Sequence, residues 1–252
     1  MLAIGGWDPT GSAGLARDLL TAQEFKVAAS GVVTALVIQD SRRVHKLVAL
    51  DPEDVKQQLN TVVADLPFAV WKVGLTPSDE IVEVILAALR EEPVARLVVD
   101  PVLWSGDRTE LVAEDHWRAI RRLLARALVV TPNLAEASAL AGKDANADEL
   151  ALCLAPRDGW CVITGGDSCG DNGRPASTVV DWASNGVDSI AIERPRVDAG
   201  WVRGTGCAMS SAIAAQLVQG TEPLQAIRDA GEWLAERLAT AQFIGAGGGR
   251  LP

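Results

Sequence analysis

Three short apolar runs, Leu97-Val98-Val99, Leu128-Val129-Val130 and Cys161-Val162-Ile163, carry no polar residue at alternate positions. A strand with one face in water alternates, so these read as strands covered on both faces, the mark of a parallel sheet between two helical layers. The intervening segments supply the helices. Val55, Leu59, Val62 and Val63 fall at helical spacing behind Asp51-Pro52, and Ile81, Val84, Ile85, Ala88 and Leu89 repeat the pattern. Leu47–Leu50 is expected as a further short strand. Beyond residue 205 the chain reads as purely helical, with Met209, Ile213 and Leu217 on one helix. Leu224, Ile227, Leu234 and Leu238 mark the next, started by Thr221-Glu222-Pro223. Neither a repeat nor a long linker divides the chain, so one α/β domain is expected over residues 1–252.

Each buried run stops at a polar motif: Asp100-Pro101, Thr131-Pro132-Asn133 and Thr164-Gly165-Gly166. In an open α/β sheet such motifs share the edge at the carboxyl ends of the strands, where ligands bind, so one crevice is expected to collect all three. Charge narrows the ligands. Asp+Glu 33 against Lys+Arg 23 gives a net charge of -10, which repels nucleic-acid backbones and anionic membranes and makes both poor partners. A bound phosphate must then be met by backbone N–H groups or a few local cations. A run of about eighteen apolar residues is lacking, so no bilayer-spanning helix is expected, and the opening MLAIGGWDPTGSAG does not read as a signal peptide. Cys153, Cys161, Cys169 and Cys207 form no CxxC pair and His45 and His116 lie far apart, which argues against structural zinc and suits free thiols in a reducing cytoplasm. Cys161, inside a strand, reads as packing.

Two glycine-rich segments could carry chemistry. Gly5-Gly6-Trp7-Asp8-Pro9-Thr10-Gly11-Ser12-Ala13-Gly14 joins a first strand to a helix running to about Lys26; it has the Gly-x4-Gly spacing of a phosphate loop but lacks its Lys, and equally suits a turn that needs small residues. Arg203-Gly204-Thr205-Gly206-Cys207 opens an apolar helix, where exposed N–H groups favour anions and a cysteine is expected to have a lowered pKa, although a Gly-rich cap over a buried Cys has the same appearance. Asn133 and Glu136, three apart at a helix start, form a capping-box pattern whose side chains can also face the crevice. Asp167–Ser177 reads as a surface loop, and the tail GAGGGRLP, with no strand before it, is not a dinucleotide fingerprint.

In this order, GGWDPTGSAGLARDL, TALVIQDS, WKVGL, DPVLWSGD, TPNLAEA, ITGGD and GTGC, closed by the Gly-rich tail, resemble the hydroxymethylpyrimidine/phosphomethylpyrimidine kinases of thiamine biosynthesis along essentially the whole chain. The resemblance implies a ribokinase-like three-layer α/β/α sandwich with a central, mostly parallel sheet. It also implies ATP and Mg²⁺ as the phosphoryl donor and its metal, and a tendency to form homodimers. It assigns the pyrimidine to Gln39, Gly6, Ala13, Val37, Leu75, Val102 and Asp18. The transferred phosphoryl falls to Gly204, Thr205 and Gly206, with Cys207 in the catalytic position as proton acceptor. The nucleotide falls to Asn133, Thr164, Gly165 and Gly166, and the metal side to Glu136 and Asp100.

Departures from the family pattern single out particular residues. Thr164 stands where the family has a lysine before Gly-Gly, and Arg203 stands where it has a histidine; Arg203 is expected to take over the lost ATP phosphate contact. Asp198–Val202 differs from the usual form, the segment after Asp100-Pro101 is shortened, and Trp7 and Trp104 are expected beside the pocket. Two other readings are a pyridoxal-type kinase on the same fold and a degenerate, non-catalytic pyrimidine-binding protein. Gln39 with Cys207 favours the pyrimidine, and the retained GTGC favours catalysis.

Overall fold

The computed structural model describes residues 1–92, 96–166 and 177–252. In chain order the elements are β1 (Leu2–Trp7), α1 (Gly14–Glu24), β2 (Ser30–Gln39), β3 (Val44–Ala49), α2 (Pro52–Asp65), β4 (Val70–Val73), α3 (Asp79–Glu91) and β5 (Arg96–Val99). They continue with α4 (Trp117–Leu124), β6 (Val129–Val130), α5 (Leu134–Ala141), α6 (Ala147–Leu154), β7 (Trp160–Ile163), β8 (Thr178–Ser184) and β9 (Ser189–Pro195). Last come β10 (Val202–Arg203), α7 (Thr205–Val218), α8 (Pro223–Leu238) and β11 (Gly249–Arg250). The main sheet has the order β3-β2-β1-β4-β5-β6-β7-β8-β9. Pairing is parallel from β2 through β7 and antiparallel at the two flanks.

Successive side chains of a strand point to opposite faces, and here both faces are dry. Leu97 and Val99 join one apolar cluster with Val55 and Leu59 of α2, Ile81 and Ile85 of α3 and Ile120 of α4. Val98 joins the other, with Leu15 of α1, Met209 and Ile213 of α7 and Ile227 of α8. The three-layer sandwich follows directly from the unalternated runs. Helix α7 is buried on every side from Ala208 to Leu217, as a helix wedged between a sheet and two further helices must be. Each large side chain removed from water there contributes about 1.5–3 kcal/mol.

The short strand expected at Leu47–Leu50 is present, mostly within β3, an antiparallel edge strand with exposed positions. One expectation needs correction. The chain after residue 205 is not purely helical, because β11 pairs with β10 in a separate two-stranded ribbon. Its two residues carry no hydrophobic period that a sequence could display. Arg17, 1% exposed, holds the tail by donating to the carbonyls of Leu251 (2.8 Å) and Pro252 (3.1 Å). The loop expected over Asp167–Ser177 lies, except for Ser177, outside the described residues, as does Cys169. Among the described residues no helix is long and apolar enough to cross a membrane.

Candidate active site

A cleft of about 1480 Å³ runs along the carboxyl edge of the parallel strands. Pockets for one small ligand span roughly 300–1,000 Å³, so this one has room for two ligands side by side. Its wall includes Asp100 after β5, Asn133 after β6 and Gly166 after β7, brought together as the strand-end motifs require. Gly6, Ala13, Val37, Gln39, Leu75 and Val102 line it too, as do Asp18, Glu136, Thr164 and Arg203 through Cys207. Gly165 does not; its N–H donates to Asp181 Oδ1 (2.8 Å), which ties it to β8. Trp104 lines the cleft with its ring edge-on to Trp117, whereas Trp7 is not part of the wall.

The two glycine-rich segments pack against each other. Asp8, 1% exposed, folds the first into a compact loop by accepting from the N–H of Thr10 (2.8 Å), the hydroxyl of Thr10 (2.8 Å) and the N–H of Ala13 (2.9 Å). Gly204, the residue before α7, has φ +74°, and a Cβ on it would lie 1.9 Å from the Ser12 carbonyl oxygen. Only glycine lets the start of α7 lie on that loop, which aims the helix's unpaired N–H groups into the cleft. At the start of the first segment, a side chain at Gly6 would meet Leu75 Cδ2 at 2.8 Å and Val37 Cγ2 at 3.0 Å. Leu75 and Val37 fill the space over Gly6, and with Gln39 they line the cleft.

Beneath the α7 start sits a buried ionic cluster. Lys72, in the otherwise apolar strand β4, is fully buried and donates to both carboxylate oxygens of Asp18 (2.9 and 3.0 Å). Ser211 adds a hydroxyl to Asp18 Oδ1 (2.8 Å), and Asp100 Oδ2 lies 3.8 Å from the ammonium. Burial alone would lower the Lys72 pKa, but the charges of Asp18, Cys207 and Asp100 hold it above the ordinary lysine value. Burial pushes the Asp18 carboxyl up, opposed by Lys72 and Ser211. Asp18, expected to touch substrate, lies on the cleft wall with its oxygens accepting from Lys72 and Ser211. Cys207 departs from expectation. Burial pushes its thiol up, Asp100 and Asp18 add to the rise, and Lys72 only partly opposes it. The helix start does not yield a lowered pKa, because burial dominates and the adjacent carboxylates oppose the one cation.

At the far end, Asn133 and Glu136 form the capping box in full. Asn133 Oδ1 accepts from the Glu136 N–H (2.9 Å), and Glu136 Oε2 accepts from the Asn133 N–H (3.0 Å). Glu136 Oε1 also accepts from the Leu103 N–H (3.2 Å), so one carboxylate ties the loop after β5 to the start of α5. Thr164 bridges to Asn133 across adjacent strand ends. Arg203 is not near them. Its Nη2 donates to Gln39 Oε1 at the end of β2, five strand spacings from β7, or about 24 Å at ~4.8 Å per strand. Arg203, expected to replace the missing lysine, is placed at the Gln39 end of the cleft. Arg196, whose Nη1 donates to the Gly166 carbonyl (2.9 Å), is the cation at the Thr164 end.

Sequence reasoning missed Lys72 and Asp8. A signal for Lys72 existed: a lone lysine inside a four-residue strand with both neighbours apolar needs a buried counter-charge.

The family model described as Phosphomethylpyrimidine kinase matches residues 8–251. The chain is similar to the chloroplastic thiamine biosynthetic bifunctional enzyme TH1 of Arabidopsis thaliana, 33% identical over 258 residues. That match covers 99% of this chain and 48% of the plant protein, so the chain spans about half of that relative. It is also 33% identical, over 255 residues, to the hydroxymethylpyrimidine/phosphomethylpyrimidine kinase of Streptomyces coelicolor, covering 98% of this chain and 91% of that one. Among solved structures, the ADP complex of Bacillus subtilis pyridoxal kinase superposes with a TM-score of 0.88 at 28% identity, covering 99% of this chain and 95% of the other.

Proposed function

Because the chain belongs to the phosphomethylpyrimidine kinase family, we propose that it transfers the γ-phosphoryl group of ATP to 4-amino-5-hydroxymethyl-2-methylpyrimidine and then to the resulting monophosphate, as thiamine assembly requires. The observation that carries this reading is one cleft lined both by Gln39 with Val37 and Leu75 and by the start of α7, which no side chain caps. Arg203 has donors only, so the Gln39 oxygen must face it. That fixes the Gln39 amide: the second lone pair of Oε1 is left for the pyrimidine amino group, and Nε2 for a ring nitrogen.

With the ring against Gln39, the N–H groups from Gly204 to Cys207 stand where charge builds on the transferred phosphoryl. Positioning and charge stabilisation of this kind carry most of phosphoryl transfer. The hydroxymethyl oxygen bonds to γ-phosphorus as the bond to the β,γ-bridging oxygen breaks, ADP leaves, and the hydroxyl proton passes to Cys207 Sγ in its thiolate form. The raised thiol pKa makes that thiolate scarce at neutral pH, so the cost of forming it weighs on the first transfer.

The donor set suits Mg²⁺. Among the described residues no group of three or more His, Cys, Asp or Glu could hold a metal. Magnesium needs no such cage, since it keeps several waters and binds through one or two carboxylates together with substrate phosphates. Asp100 and Glu136, both on the cleft wall, would hold it, and the ion would neutralise phosphate charge.

Similarity to a pyridoxal kinase favours pyridoxal as a second acceptor. The test is ADP release with Mg-ATP and each of hydroxymethylpyrimidine, its monophosphate and pyridoxal, with Cys207→Ala in parallel. Pyrimidine turnover that collapses in Cys207→Ala supports the proposal. Turnover of pyridoxal alone replaces the substrate, and binding of pyrimidine without turnover of any acceptor overturns catalysis.

A further inference from the structure

Arg203 is 5% exposed and lies on the cleft wall between Gln39 and the first residue of the anion-binding turn. One nitrogen, Nη2, meets Gln39 Oε1. The other two, Nε and Nη1, are buried with no hydrogen-bond partner. The Trp201 ring stands 5.5 Å from the guanidinium carbon and holds the group in place through its π-face. Buried, unpartnered donors on a charged group are costly to keep, and such groups call for an explanation such as a ligand.

Three other cations on the wall are already engaged. Lys72 is held by Asp18, Arg194 is paired with Asp181, and Arg121 donates to the carbonyls of Leu140 (2.6 Å) and Ala139 (3.4 Å). At the Gln39 end, Arg203 keeps unused donors. Its two forks, Nε with Nη2 and Nη1 with Nη2, each present one, and a guanidinium fork matches two oxygens of a phosphate.

We infer that Arg203 is a specificity residue that reads the phosphate of the monophosphorylated pyrimidine, so that the cleft prefers the phosphorylated acceptor to the free alcohol. The inference rests on the kinase reading above. A ring read by Gln39 carries its phosphate one methylene away, which brings that phosphate to the residue touching Gln39 and to the N–H groups beside it. A phosphate at this point satisfies donors that are otherwise stranded, whereas the alcohol offers them one neutral oxygen. Discrimination then comes from what the weaker ligand leaves unpaired.

The test is calorimetric titration, without ATP, of hydroxymethylpyrimidine and of its monophosphate into the wild-type protein, Arg203→Ala and Arg203→Gln. Loss of Gln39 alignment affects both ligands and cancels in the ratio of their dissociation constants. The wild-type protein is expected to bind the monophosphate at least tenfold more tightly, and both variants to reduce that ratio to within about threefold. Arg203→Gln, long enough to keep a donor on Gln39, serves if the alanine variant does not fold. A ratio unchanged in the variants, or no preference in the wild type while the alcohol still binds, overturns the role of Arg203 and leaves the kinase reading standing. Failure of both ligands to bind the wild type overturns both.

Discussion

Replacing Lys72 by Met tests how the floor of the site is built. Methionine nearly fills the lysine's volume and is unbranched, so packing changes little. What changes is charge: Asp18, fully buried, loses the ammonium that meets both its oxygens and keeps only the Ser211 hydroxyl. Removing one partner of a buried pair typically costs about 3–5 kcal/mol. Protonation of Asp18 sets a ceiling. Neutralising a carboxyl whose ordinary pKa is 3.8 costs about 1.4 kcal/mol per pH unit above that value, which is about 4 kcal/mol at pH 7 and about 1.6 kcal/mol at pH 5. The sign follows from the direction of the shift. A carboxyl whose folded-state pKa is raised keeps its proton in the folded protein, so stability is lost as pH rises from 3.8 toward the folded value.

Urea unfolding of the wild type, Lys72→Met and Lys72→Met/Asp18→Asn at pH 5 and pH 7 reads this out. The single variant should be less stable by about 3–4 kcal/mol at pH 7, or roughly 6–16 °C in Tm at about 2–4 °C per kcal/mol, and by half that or less at pH 5. The double variant should recover most of the loss and show little pH dependence. A gap of the same size at both pH values, or one below about 1 kcal/mol at pH 7, refutes the ion pair as the element that makes Asp18 tolerable there.

The raised thiol of Cys207 predicts that kcat/KM for the alcohol climbs about tenfold per pH unit between pH 6.5 and 8.5. The monophosphate, whose acceptor oxygen has largely lost its proton above about pH 7, should change less than about threefold, and Cys207→Ala should flatten the alcohol profile; parallel profiles would remove Cys207 as proton acceptor. Gly204→Ala, which sets a Cβ 1.9 Å from the Ser12 carbonyl oxygen, should lower kcat/KM for both acceptors by about 100-fold or more, since displacement by about 1 Å carries a loss of that order. Circular dichroism of this variant should remain that of the wild type.

The layers of the fold were legible because β5 and its parallel neighbours announce two dry faces residue by residue, and because the motifs at their ends had to share an edge. Gln39 and the Gly204–Cys207 turn were reachable through resemblance. The neighbours of Asp18 and Arg203 were not. Asp18 meets Lys72 across 54 positions and Arg203 meets Gln39 across 164, and nothing local to either residue states its partner. The lowered pKa expected of Cys207 failed for the same reason, since a helix start is a local feature, whereas the burial that raises the thiol comes from packing and the opposing carboxylates arrive from α1 and from the end of β5.

The net charge of -10 and the handling of phosphate are reconciled by where the charges sit. Composition constrains the average surface, but the cleft selects its own balance. The cation under the anion-binding turn, Lys72, is largely cancelled by Asp18, and at Gln39 a guanidinium stands with donors unused. On the proposed reading, phosphate at the centre of the cleft is met mainly by N–H groups, which carry no net charge and hold a fixed direction. An unpaired cation at that point would bind the γ-phosphate of ATP and the transferred phosphoryl about equally, which tightens binding without lowering the barrier. Oriented amides aimed at the point of transfer, with full charge kept to the end that identifies the acceptor, separate stabilisation of the transition state from recognition of the substrate.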